Sequence, residues 1–350
     1  MRSHSQAIAQ IMAMAFIVFS PVGKSEAAIL TTGFFSGTIE MFDESGGPGS
    51  TFAVVASASD PFPGLAGIAI NPTNRQVFVS ARISDRIYSY DGNSQALLGF
   101  HQLPIGTSPA GMTFGSNGTL YVSSFGTNSI NSFDVSNNAS YSLINSLTIP
   151  NSLPNGLAFD STGRLLISTF GGLGVLASDS SLSASSSFAA NPVANGQIAI
   201  DPQGNVYVGS AAVSSDVFKF TSAGAPIGNP WITLSLPLPA LPFTSPDLSS
   251  PSGVAIDQNG NIIVAALGQT NPTQASDNFQ SNGGLFRFTS NASQIFPAFA
   301  VGSTPFSSVA VTAVPEPTSA LLLTVVFTLS RMRRIRYRNH NFTGDFQPTI

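Results

Sequence analysis

The chain has 350 residues, no cysteine, and only 9% charged residues beside 32 glycines and 24 prolines. The lack of cysteine excludes disulfides and thiolate chemistry, and few charges with many turn-forming residues favour short strands over helices. Residues 28–313 hold six basic and fourteen acidic residues, a net charge of −8. This part has no basic stripe, and we expect no nucleic-acid partner.

The first 27 residues have the order of a secretory signal peptide. Arg2 provides the positive end, and Ile8–Phe19 is an apolar run too short to span a membrane comfortably. Small residues at Ser25 and Ala27 offer a cleavage site. We expect signal peptidase to remove residues 1–27 and the protein to be exported.

The body of the chain is built from repeats. Each copy alternates small and apolar residues, turns through a polar tetrad and runs apolar again, which is the pattern of two strands joined by a tight turn. Copies begin at Leu65, Pro109, Pro154, Ala194 and Pro251, and they share a glycine at positions 67, 111, 156, 196 and 253. The aspartates Asp160, Asp201 and Asp257 open polar tetrads, and we interpret them as turn formers.

A second strand pattern follows the shared glycine after about 20 residues, or about 30 in the last unit. It reads IYSYD, INSFD, VFKFT and LFRFT, with GVLAS at Gly174 as the best candidate in the fourth unit. A weaker fourth strand completes each unit, so the sequence predicts an all-β chain of four-stranded antiparallel blades. The half-unit at Ile29–Phe42 and the lone strand at Ser308–Val311 complement each other. We therefore predict a six-bladed β-propeller over residues 28–312, closed by a C-terminal inner strand that pairs with the N-terminal strands.

Two repeat copies, PNGLAFDSTGRLLIS and SGVAIDQNGNIIVAA, resemble those of the NHL-repeat and gluconolactonase-like (TolB-like) six-bladed propellers. The resemblance implies the fold; the architecture itself hosts hydrolases, lyases and binding modules. Gluconolactonase-like enzymes hold a divalent metal with Glu, Asn and Asp, and their Asn lies in a Pro-Asn-Gly motif that Pro154–Gly156 matches. Asn195 stands where that family has its Asp. The resemblance thus makes Asn155 and Asn195 candidate ligands for Ca²⁺, while the missing carboxylates argue against lactonase chemistry.

One end of the ring is a candidate ligand-binding face. Successive strands reverse direction, so the connections from the second to the third strand of a blade share an end with those between blades. Two long connections, 234–251 and 268–284, fall at this end, and long insertions on one face often mark a binding side. Neutral drift of surface loops is the alternative. The residues that we single out on this face are Arg82, Asp85, Arg86, Asp247 and Asp277.

After the propeller the composition changes. A Val-Pro-Glu-Pro motif at residues 314–317 precedes the apolar run Ala320–Leu329 and a basic cluster. This order resembles the PEP-CTERM sorting signal of Gram-negative bacteria, with a short transmembrane helix held by arginines on the cytoplasmic side. The alternatives are a plain C-terminal anchor and an amphipathic extension. The sorting residues are Pro315, Glu316, Pro317, Arg331, Arg333 and Arg334. We assign residues 313–338 to this segment and 339–350 to a disordered tail.

These patterns lead to one expectation and one alternative. We expect an exported, non-enzymatic binding or structural propeller with no catalytic residues, processed by an exosortase-type membrane protease. It would act at the outer surface or in the extracellular matrix, with extracellular polysaccharide or surface proteins as partners. The alternative is a divalent-metal-dependent hydrolase or lactonase, supported by Asn155.

Overall fold

A computed structural model describes residues 28–34, 36–43, 49–57, 60–138, 140–211, 214, 216–228, 230–234, 250–267, 283–295, 300–302 and 306–312. All of them lie within one compact unit, Glu26–Ala313. The elements described are β-strands, and every strand pair is antiparallel.

The strands form six four-stranded sheets. The first blade takes three strands from the N-terminus, and these are β1 (Ala28–Gly33), β2 (Thr38–Asp43) and β3 (Ser50–Val54). Blade two consists of β4 (Leu65–Ile70), β5 (Val77–Ala81), β6 (Arg86–Tyr90) and β7 (Leu97–Gln102). Blade three consists of β8 (Pro109–Phe114), β9 (Leu120–Ser124), β10 (Ser129–Asp134) and β11 (Ser142–Thr148). Blade four consists of β12 (Pro154–Phe159), β13 (Leu165–Thr169), β14 (Val175–Ser178) and β15 (Ser185–Ala189).

The last two blades close the ring. Blade five consists of β16 (Ile198–Ile200), β17 (Val206–Gly209), β18 (Asp216–Phe220) and β19 (Ile232–Thr233). Blade six consists of β20 (Ser250–Ile256), β21 (Ile262–Leu267), β22 (Gly283–Phe288) and β23 (Ala300–Gly302). The final strand, β24 (Phe306–Val311), pairs with β1 from Ile29↔Val311 to Gly33↔Phe306 and becomes the inner strand of blade one. The predicted six-bladed propeller and its closure are confirmed, as is GVLAS as the third strand of unit four.

The core is divided among the six interfaces between neighbouring blades. Each interface holds its own apolar cluster; the one between blades two and three contains Phe78, Met112, Leu120 and Tyr141. The second strand of a blade faces a neighbour on both sides, so β5, β9 and β13 are buried along their whole length. The outer strand β11 is mostly exposed. The burial of apolar surface between neighbouring blades therefore holds the ring together.

The repeat glycine marks the points where blades touch. A side chain at Gly67, Gly111 or Gly156 would collide with a backbone carbonyl of the next inner strand. Serines on the second strands bridge the same contacts. Ser168 Oγ accepts the Gly156 N–H at 2.8 Å and donates to the Gly196 carbonyl at 2.6 Å, and Ser80 makes the corresponding contacts two interfaces earlier. The inner strands of neighbouring blades therefore approach closely, and their backbone groups are hydrogen-bonded across the interface.

The turns between first and second strands confirm the interpretation of the aspartates. Asp160 Oδ1 accepts the N–H groups of Thr162 and Arg164, and Gly163 has a φ of 84° that glycine adopts without strain. Asp201 and Asp257 make the same pair of contacts in blades five and six. These carboxylates build turns at the end of the ring opposite the candidate face.

Candidate functional site

The central channel is lined by the inner strands of all six blades. It contains a cavity of about 330 Å³, and most residues around it have apolar side chains, with Gln197 and Thr113 among the polar ones. No Asp, Glu, His, Lys or Arg is among the described residues that line it. In the described part of the chain, no group of three or more His, Asp or Glu side chains could hold a metal ion.

The side chain of Gln197 joins two inner strands that are not neighbours in the ring. Gln197 of blade five donates from Nε2 to Ser308 Oγ of blade one, and its Oε1 accepts the Val309 N–H at 3.1 Å. These contacts skip blade six, which lies between the two. Gln197 therefore adds a polar link between non-adjacent strands that line the channel.

Asn155 and Asn195, the candidate metal ligands, lie at neighbouring inner strands and are in direct contact. The Asn155 side-chain amide donates to the Asn195 backbone carbonyl at 2.7 Å. Asn195 is 1% exposed, and its Oδ1 accepts no hydrogen bond from the described residues. Calcium requires six to eight oxygen ligands, several of them usually carboxylates. A neutral amide pair, one of whose amino groups already points at its neighbour, does not fit a calcium site of that kind.

The remaining candidate site residues lie at or near the candidate binding face. We call this end of the ring the loop face, and it comprises connections such as 82–85, 103–108, 125–128, 149–153 and 170–174. Adjacent connections are joined by backbone hydrogen bonds. The backbone N–H of Arg82 donates to the Gly64 carbonyl. In the same way, the Phe125 N–H donates to the Ser108 carbonyl and the Phe170 N–H to the Leu153 carbonyl. The loop face is therefore a continuous hydrogen-bonded surface across blades two to four.

Of the predicted residues on this face, Arg82 is a cation with no anionic partner among the described residues. Its guanidinium carbon lies 3.7 Å from the centre of the Phe125 ring, and the described residues place no carboxylate within ion-pair distance of it. Burial lowers the pKa of Arg82 from its ordinary value, because the charged form loses water without gaining a counter-ion. Phe125 in turn meets Phe170 edge to face, with ring centres 5.7 Å apart.

Asp85 and Arg86 make their contacts within the protein. Both Asp85 carboxylate oxygens are occupied, since they accept the N–H groups of Gly106 at 2.8 Å and Ser108 at 2.6 Å. Arg86 starts β6 and points to the rim, where it pairs with Asp60 at 3.3 Å and donates to Gln102. The structure thus separates the three residues that the sequence grouped together, and Asp85 ties one loop to the next.

Exposed apolar side chains are unevenly distributed over the described surface. Four of the large ones lie in loop-face connections, namely Phe62, Ile83, Ile105 and Leu173. The others lie on the outer strands β3, β7 and β11, and none of those described lies in a connection at the opposite end. The sequence reasoning missed these four exposed side chains together with Phe125 and Phe170. A signal was available, because Phe34, Arg82, Phe125 and Phe170 all directly follow the second strand of their blades.

Several predicted residues lie outside the described part of the chain. These are Asp247, Asp277, the signal segment 1–27 and the tail from 313 onward, including Pro315, Glu316, Pro317, Arg331, Arg333 and Arg334. Among the residues that are described, no helix is long and apolar enough to cross a bilayer.

Fold and site together define a six-bladed β-propeller whose described channel lining has no charged side chain and whose exposed apolar connections lie on one face. No known protein-family profile and no curated protein matches the chain. Solved structures, in contrast, are similar to the chain. A chain of a nidogen–laminin complex superimposes with a TM-score of 0.60 at 11% identity, over 82% of this chain and 99% of that one. A catalytically inactive virginiamycin B lyase from Staphylococcus aureus, solved with quinupristin, gives 0.52 at 11% identity, over 81% and 87%. A gluconolactonase from Xanthomonas campestris gives 0.44 at 16% identity, over 69% and 88%. At these identities the likeness concerns the fold alone, and the last score supports no argument.

Proposed function

We propose that this protein is an exported, non-enzymatic binding module whose loop face attaches to a partner at the cell surface or in the extracellular matrix. The observation that carries the proposal is the location of the exposed apolar side chains. Apolar patches on one face of a soluble domain mark interaction sites, and the described connections at the opposite end present polar turns instead.

The signal-like N-terminus and the Val-Pro-Glu-Pro tail support export and sorting by an exosortase-type protease. Mass spectrometry of the mature protein tests this part. We expect an N-terminus near Ala28 and a C-terminus close to the 314–317 motif. A secreted protein that still ends at Ile350 would contradict processing.

Attachment is tested with two matched double variants. Ile83→Ser with Ile105→Ser removes exposed apolar side chains from the loop face, whereas Val54→Ser with Leu143→Ser removes exposed apolar side chains from outer strands. Labelled full-length protein is titrated onto cells of the producing strain that lack the gene. We expect the loop-face pair to weaken attachment about tenfold or more, since each buried Ile contributes about 1.5–3 kcal/mol, and the outer-strand pair to change it less than about twofold. Equal losses in both pairs, or a loss in neither, would overturn the proposal.

The lactonase alternative rests on Asn155 alone. Its side chain contacts a backbone carbonyl rather than a set of acidic ligands, so binding is the better-supported function.

A further inference from the structure

Arg82 combines features that point to a ligand. Its guanidinium is partly removed from water and rests on the Phe125 ring. None of the described carboxylates neutralises it. A partly desolvated cation normally finds an anion within its own protein, and the described part of this chain supplies none to Arg82.

The geometry leaves the edge of the Arg82 guanidinium, where its N–H donors lie, available to a ligand. A separation of 3.7 Å between guanidinium carbon and ring centre is that of two stacked planar groups. Stacking uses the face of the guanidinium and leaves its in-plane N–H donors free. Those donors form the fork that binds a carboxylate through two parallel hydrogen bonds.

Exposed aliphatic side chains lie in the connection that holds Arg82 and in the connection bonded to it. Ile83 is 60% exposed and Ile105 is 96% exposed. They lie in separate connections, and Asp85 joins these by accepting the Gly106 and Ser108 N–H groups. Asp85 is thereby a positioning residue, since it fixes the loop of Ile105 against the loop of Arg82 and Ile83.

We propose that Arg82 anchors a partner protein by binding a carboxylate that the partner presents among apolar side chains. This inference rests on the proposed binding function and names the partner's chemistry. Arginine and aromatic residues surrounded by apolar contacts are the composition of energetically dominant positions in protein interfaces. An acidic saccharide fits less well, because the Phe125 face beside the cation is already covered by Arg82 and the exposed neighbours Ile83 and Ile105 are aliphatic.

The test uses full-length secreted protein and two peptide arrays. In one array a central Asp is flanked on both sides by all combinations of Leu, Ile, Val and Phe. In the other the central residue is Asn, which has the same shape without the charge. Trigalacturonate and its methyl ester provide the corresponding saccharide pair. The variants are Arg82→Gln, Arg82→Lys and Arg75→Gln, the last of which removes the same charge from a turn at the opposite end of the ring.

We expect the best Asp peptides to bind about tenfold or more tightly than their Asn counterparts, the ratio for one charge-assisted contact. Arg82→Gln should abolish that ratio, Arg82→Lys should reduce it because the fork is lost, and Arg75→Gln should leave it unchanged. A ratio that survives in Arg82→Gln would overturn the anchor. So would Arg82-dependent binding of trigalacturonate without binding of peptides, which would assign the site to an acidic saccharide. If no peptide binds, the inference is overturned as well. The proposed function is judged separately, by cell attachment of the Ile83/Ile105 double variant.

Discussion

Gln197 and Val309 are joined across the channel between two non-adjacent inner strands, with the side-chain Oε1 of the first accepting the backbone N–H of the second at 3.1 Å. The same side chain donates to Ser308 Oγ. Blade one and blade five are therefore linked without the mediation of blade six. This link stabilises blade one, which is assembled from the N-terminal strands β1 to β3 and the C-terminal strand β24.

Replacing Gln197 by Leu should lower the free energy of unfolding by about 1–3 kcal/mol, because the Val309 N–H loses its partner in a buried position. Urea unfolding followed by tryptophan fluorescence measures the change. Gln203→Leu is the control, since Gln203 is exposed in a turn at the ring's edge. Equal stability of the Gln197 variant and the wild type would contradict a role for the cross-channel link.

The bridging serines yield a prediction that runs against the repeat pattern. Blade five has Gly209 where the three preceding blades have serine, and a side chain there would collide with the Pro251 carbonyl. Gly209→Ser should thus destabilise the protein by about 1–3 kcal/mol through overpacking, although it restores the pattern. Ser168→Ala should cost a similar amount, about 1–3 kcal/mol for two unpartnered backbone groups. Ser161→Ala, in an exposed turn, serves as the reference in thermal unfolding, and a stabilising Gly209→Ser would refute the steric explanation.

Asp85→Ala should loosen the loop face and leave the ring intact. The Gly106 and Ser108 amides lose charged acceptors, so their hydrogen exchange should accelerate about tenfold or more. Asp91→Ala removes a similar carboxylate from a turn at the opposite end and should leave both amides unchanged. Unaltered protection of the two amides in Asp85→Ala would show that other contacts hold these loops.

His101 should make stability depend on pH in a narrow range. It stacks on Tyr141 with ring centres 4.8 Å apart, and its Nδ1 accepts the Tyr141 N–H at 3.3 Å. Desolvation lowers the pKa of His101 in the folded state, while burial raises the pKa of Tyr141 to about 12, so the phenol stays neutral. As pH falls through the unfolded-state value of about 6.5, the unfolded chain binds the proton first and stability declines. Below the lowered folded-state pKa the loss stays constant.

Thermal unfolding between about pH 7.5 and about pH 5 checks this effect. His101→Gln keeps a polar side chain at this position without the titration, and its curve should be flatter than that of the wild type. Identical pH dependence in both proteins would mean that carboxylates elsewhere control the response.

Calcium should not stabilise the protein. The wild type is expected to unfold at the same temperature in EDTA and in calcium chloride, and elemental analysis should find no stoichiometric calcium. The physical reason is the neutral Asn155–Asn195 pair, which supplies too few oxygen ligands and no charge. Tightly held calcium that is lost in Asn155→Ala, with hydrolysis of lactones, would restore the alternative function.

The sequence predicts the fold well because the repeats contain most of the information that the fold requires. Alternating strands, polar turns and matching half-units give the blades, their number and their closure. The site is less accessible to such reasoning. Asp85 was grouped with Arg82 as a ligand contact, but the positive φ of 53° at Asp85 and the neighbouring loop turn its carboxylate toward backbone amides. Gln197 is polar where the other repeats have Ile, Met, Leu or Val, yet its partners on β24 become visible only once the ring is closed.

The closing strand β24 also determines how the ring responds to load. Ala28 and Thr312 are joined at the end of the seam by a Thr312 N–H to Ala28 carbonyl bond and by an Ala28 N–H to Thr312 Oγ1 bond of 2.7 Å. A pull on the chain beyond Thr312 would break the ladder between β24 and β1 one pair at a time, beginning at this end. For a propeller tethered through its tail, the load would reach this seam first, and the Gln197 link to Ser308 and Val309 is one of the contacts outside the ladder that resist peeling.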